Sequence, residues 1–237
     1  MNCKGLPSHA ELKAALAAAV GSPPSGNGGF NLHMWATIVD RDGIVYSVAF
    51  SGNDRGDQWP GSRVISAQKA NTANAFSLPG LSLSTANLWA PVQPGGSLFG
   101  LQHSNPVDTQ VAYGGNSEHN GQDNDAMGGK KIGGVNVFGG GLALYNSEGE
   151  LVGAVGVSGD SSCADHNIAW RTRNNLGLDH VPGGISGDAA RPDNIVFDLT
   201  GDVGDNPESA GGFGHPHSIA GNADNESAIA GALPAIP

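Results

Sequence analysis

The stretch Gly139–Arg173, GGGLALYNSEGELVGAVGVSGDSSCADHNIAWRTR, constrains the fold of this chain more than any other. Leu142 to Tyr145 form a short apolar run, and Asn146-Ser147-Glu148-Gly149 has turn chemistry, with Gly149 able to take a positive φ. Leu151 to Val157 is a second apolar run. Ser158-Gly159-Asp160-Ser161-Ser162 then breaks the strand and offers hydroxyl caps to a helix starting near Cys163. Two strands, a glycine loop and a helix in that order leave backbone N–H groups of the helix start without intrahelical partners. This makes the loop the best ligand-facing candidate in the chain.

The flanking segments extend the pattern. Ser8-His9-Ala10-Glu11 is a capping box for a helix carrying Leu12, Leu16 and Val20 on one face and stopping at Gly21. His33 to Asp40 alternates as a strand, Asp40-Arg41-Asp42-Gly43 is a turn, and Ile44 to Phe50 is the partner strand. Ser62 is expected to cap a helix over 63–76. Helical turns are expected over 84–88 and 95–101, and a short strand over 133–137. After the helix ending near Leu176, Gly177 is a C′ candidate. Asn194 to Leu199 reads as one more strand, and the remainder as an irregular tail. Strands joined by hairpins and flanked by helices imply an α+β domain with an antiparallel sheet.

Composition narrows the function. With 237 residues, one domain is expected. The net charge of −11 argues against nucleic acid or an anionic membrane as partner. No apolar run approaches the ~18 residues a membrane span needs. The acidic, charge-poor surface suits an exported protein, periplasmic or extracellular. The two cysteines, Cys3 and Cys163, allow one bridge or two free thiols.

The hairpin Ala36–Gly52, the helix Ser62–Phe76 and the segment Gly139–Ala169 together resemble the GlcG/HbpS family, which is itself similar to the C-terminal domain of PduO-type cobalamin adenosyltransferases. The resemblance covers residues 8–176. It implies a profilin-like α/β/α domain over 1–177, with a long polar insertion at about 105–131 that reads as a surface loop or lid. Residues 178–237 then form an extension with one strand and an irregular tail. It also implies a homo-oligomer and, for some members, haem binding and export. Lys69 falls on the family's helix lysine and Asp165 on its acidic position. His166 stands where glutamate is common.

The candidate ligand-binding residues are Lys69, Gly156, Ser158, Gly159, Asp160, Asp165 and His166, arranged to receive a small anionic ligand through backbone amides and one ammonium group. The glycines equally suit a tight turn and close packing. Ser158 lacks the Gly-x-Ser-x-Gly spacing of an acyl-transfer nucleophile. Lys69 can pair with Asp40, Asp160 or Asp165. Asp165 can simply cap, and a helix N-terminus would keep His166 neutral. If the chain is an enzyme acting on a carboxylated or hydroxylated metabolite, Lys69, Asp165 and His166 are its catalytic candidates. If it binds haem, His166 and His33 are the candidate axial ligands. A structural assembly without pocket chemistry is the third reading. His215-Pro216-His217 is a possible weak metal pair, and Asp123-Asn124-Asp125 and Asp202 to Asn206 are possible calcium loops without the EF-hand arrangement.

Overall fold

A computed structural model describes residues 5–21, 26–201 and 207–237. Its elements are α1 (His9–Val20), β1 (Trp35–Asp40), β2 (Val45–Phe50), α2 (Ser62–Phe76), the short α3 (Leu101–Ser104) and α4 (Thr109–Tyr113), β3 (Gly141–Tyr145), β4 (Leu151–Ser158), α5 (Ser162–Asn175), the two-residue strands β5 (Leu199–Thr200) and β6 (Glu208–Ser209), and α6 (Ala223–Gly231). The main sheet is antiparallel throughout, in the order β2-β1-β4-β3. Two local hairpins meet along the β1–β4 seam, where Trp35 pairs with Ser158 and Asp40 with Gly153.

Alternation along the strands sends two sets of side chains to opposite faces. Ala36, Ile38, Leu142, Leu144, Val155 and Val157 join Leu12 and Leu16 of α1 and Ile168 and Trp170 of α5. Trp35, Val39, Val48 and Ala154 instead meet Val64, Ala67, Ala70 and Ala73 of α2. The result is three layers, with α2 on one face of the sheet and α1 with α5 on the other. Helix α2 lies close to β3 and β4 because glycines stand beneath it there. A Cβ at Gly156 would run into the Ser66 carbonyl, and one at Gly141 into the Lys69 carbonyl and Thr85.

The capping box at Ser8 forms as expected, the Ser8 side chain accepting from the Glu11 amide. Gly177 takes φ +63° behind α5, as a C′ glycine should. Four expectations need correction. The α2 N-cap is Gly61, with Ser62 already helical and no side-chain cap. Residues 133–137 make no strand, because Gly133 forms only an isolated bridge to Val107. Residues 194–198 form no strand: the His215 amide donates to the Val196 carbonyl, and Leu199–Thr200 pairs with β6. Side chains also hold this backbone: Asn87 donates to the Asn194 carbonyl, and the Ile195 amide donates to His166 Nε2 and Asn194 Oδ1. The tail is not irregular throughout, since α6 buries Glu226, Ile229 and Ala230.

The 105–131 insertion is a packed cover over the β2 edge. The Val45 amide donates to the Lys130 carbonyl and the Gly129 amide to the Val45 carbonyl. Arg63 forks onto Asp125 with both groups buried, and Asp125 also accepts the Gly121 and Met127 amides. Asp125 therefore has no free oxygen for calcium; the second calcium loop at 202–206 and Cys3 lie outside the described residues. Among the described residues, Cys163 is a free buried thiol and no helix is long and apolar enough to cross a membrane.

Candidate functional site

Strand β4 ends at Ser158, and the chain reverses through Gly159, at φ +152°, into α5. A Cβ at Gly159 would approach the His33 carbonyl to 2.7 Å and Met34 Cα to 3.1 Å, so the glycine is required by close packing against the start of β1. One carboxylate organises the reversal: Asp165 Oδ1 accepts the Gly159 and Asp160 amides at 3.1 and 2.8 Å. Its other oxygen, Oδ2, receives the Lys69 ammonium at 2.6 Å, and Lys69 also donates to the Val157 carbonyl at 3.1 Å. Both side chains are shut away from solvent. Burial pushes the Asp165 carboxyl up to about 6 against the pull of Lys69, and burial pulls Lys69 down against the pull of Asp165. Of the three acidic partners expected for Lys69, only Asp165 reaches it.

Asp160 turns outward from the same reversal. Its carboxylate accepts the Phe30 and Leu32 amides at 2.8–3.1 Å and the Ser161 amide at 2.6 Å, pinning the segment that leads into β1. The amides of the glycine turn are thus satisfied by the chain's own carboxylates. Ser158 is buried on the α2 side, and Gly156 is closed over by that helix.

His166 does not join Lys69 and Asp165. It is fully buried on the side facing the C-terminal extension, with Nε2 3.1 Å from Asn194 Oδ1 and 3.2 Å from the Ile195 amide. The Asn194 amide group is itself committed to the Ala230 carbonyl. Nδ1 of His166 has no partner. Burial, more than the helix end invoked from the sequence, drops this imidazole to about 4. His33 lies two residues before β1 and is exposed, with Nδ1 3.1 Å from Ser51 Oγ. Phe30, three residues earlier on the segment pinned by Asp160, is 61% exposed. The His215–His217 pair is not a loose metal pair: His215 is buried against Ser162, and His217 bonds Glu226. Among the described residues, no group of three potential metal ligands converges.

Several structural anchors escape sequence reasoning. Arg173 makes a buried fork with Asp193 at 2.6 and 2.8 Å, and Ser82 donates to the same carboxylate. Burial opposes the Asp193 charge, yet the Arg173 guanidinium holds its carboxyl below the ordinary range. Ser161, the α5 N-cap, makes no side-chain cap bond; Ser218 supplies that hydroxyl from the extension by accepting the Cys163 amide at 2.9 Å. No local sequence signal links residues so far apart.

The profile of a family described as "Haem degrading protein HbpS-like" matches residues 11–173. Among solved structures, a PduOC–haem complex is 23% identical, covering 72% of this chain and 94% of that one at a TM-score of 0.49. The Klebsiella pneumoniae protein ORFY is 25% identical, covering 74% and 96% at 0.46. HbpS is 19% identical, covering 72% and 90% at 0.43. No curated protein sequence matches the chain.

Proposed function

This chain belongs to the HbpS-like family, and from that premise we propose that it is a small-ligand-binding protein whose ligand is haem, held at the exposed end of β1 by His33. The family match over residues 11–173 is the observation that carries the reading. The chemistry of this end suits the group in two respects. The His33 imidazole is exposed to solvent and steadied through Nδ1 by Ser51, which makes Nε2 the nitrogen for a metal. Phe30 offers an exposed aromatic face on the same pinned segment. Haem, when bound, would supply an iron with a coordination position open to an imidazole.

His166 is the weaker candidate iron ligand, because reaching it requires Asn194 and the rest of the extension to lift away from it. Lys69 and Asp165 act as a brace for the glycine turn in this reading, with no ligand of their own. The exposed Trp59, Phe99 and Tyr113 support assembly into a homo-oligomer. Light scattering after size exclusion measures that assembly directly.

Haemin titration followed in the Soret region tests the ligand. The reading requires a shifted band that saturates at a fixed haemin-to-chain ratio. Absorbance that climbs without saturation, as for adsorption to any protein surface, would sink it.

A further inference from the structure

Ser162 and His215 form a pair that haem binding does not use. Ser162 opens α5 and is half-buried; its Oγ accepts the Gly139 amide at 2.8 Å and lies 2.8 Å from His215 Nε2. His215 Nδ1 lies 2.7 Å from the Pro216 carbonyl oxygen. A carbonyl can only accept, so Nδ1 carries the ring proton. Burial drops this imidazole to about 3, so it is neutral and Nε2 holds a bare lone pair. The Ser162 hydroxyl must therefore donate to it. A hydroxyl, a base in hydrogen-bond reach and a third group that fixes the base's tautomer are the parts of an activated nucleophile.

Ser162 stays half-buried at the start of α5, whereas His215 is closed off from solvent. The 14-residue α5 points its positive end at the same spot.

We propose that Ser162 is a nucleophile and His215 its general base, in acyl transfer from small aryl esters. Ser162 Oγ bonds to the ester carbonyl carbon as its proton moves to His215 Nε2, and the carbonyl electron pair moves onto oxygen. The intermediate collapses by breaking the bond to the aryloxy group, which leaves as phenolate and takes up the proton held on Nε2. Water then attacks the acyl-serine, its proton passing to His215 and on to Ser162 Oγ, and a carboxylic acid departs. Two features restrict the class to esters with good leaving groups. The buried imidazole is a weak base, and the uncharged Pro216 carbonyl gives an imidazolium little support.

Labelling of the folded protein with a fluorophosphonate, mapped by peptide mass, tests this. The adduct should sit on Ser162, vanish in Ser162→Ala and form at least ten-fold more slowly in His215→Gln. A p-nitrophenyl acetate burst lost in Ser162→Ala is the second readout, and it is unaffected by folding defects in the His215 variant. No adduct on Ser162 in the folded wild-type chain, or equal labelling in Ser162→Ala, overturns the proposal. Neither result depends on whether haem binds.

Discussion

Neutralising one member of the Lys69–Asp165 pair should cost as much as neutralising both. At 2.6 Å, and with an effective dielectric constant of about 20, the attraction is roughly 6 kcal/mol. Burying two charges costs several kcal/mol per ion, so the net value of the pair is small. Lys69→Met leaves Asp165 charged, with its Oδ1 bonds to Gly159 and Asp160 but nothing on Oδ2. Asp165→Asn leaves a buried ammonium with the Val157 carbonyl alone. Each single variant should lose about 3–5 kcal/mol. The double variant should lose no more than the worse single, a coupling of about 3 kcal/mol. Urea unfolding of all four chains, with m-values compared, measures the cycle. Additive losses would show that the two side chains act independently and would refute the brace.

Acid should destabilise the protein through its buried imidazoles. His166 and His215 have folded pKa values of about 4 and about 3, below the ordinary 6.5, so the unfolded chain takes up their protons first and stability falls as pH drops from about 6.5 toward 4. Asp165, raised to about 6, opposes this between pH 6 and 3.8, so the net uptake on unfolding falls from about two protons to about one. Urea midpoints at pH 7 and pH 5 should show the loss, and His166→Asn and His215→Asn should each flatten it. Ser218→Ala removes the cap that Ser161 does not make and should cost about 1 kcal/mol in thermal or urea unfolding. Gly156→Ala forces a methyl onto the Ser66 carbonyl and should destabilise by about 1–3 kcal/mol; an unchanged midpoint would show that α2 can shift freely.

What the sequence discloses here is what is local. The capping box at Ser8, the Asp40–Gly43 turn, the apolar runs of β3 and β4 and the Gly177 cap are each written within a few residues, and each forms. The β1–β4 seam joins residues more than a hundred apart, and only the family likeness points to it. The reading of 194–199 as a strand fails because Ile195 and Phe197 are apolar for another reason. They pack beside Cys163 and Ala230, and the Ile195 amide bonds side chains. His166 stands out in the sequence by position. Its closure by Asn194 and α6 depends on an extension that carries no periodic signal. Lys69 and Asp165 are legible because both fall on family positions, whereas Ser162 and His215 stand in a cap and a loop whose pairing only the folded chain reveals.

The most direct test of the haem reading compares His33→Ala with His166→Ala in a Soret-monitored haemin titration. The account predicts that His33→Ala abolishes the saturable band while His166→Ala retains it at near wild-type affinity. Retention of the band in His33→Ala, with loss in His166→Ala, would contradict it and place the ligand beneath the C-terminal extension.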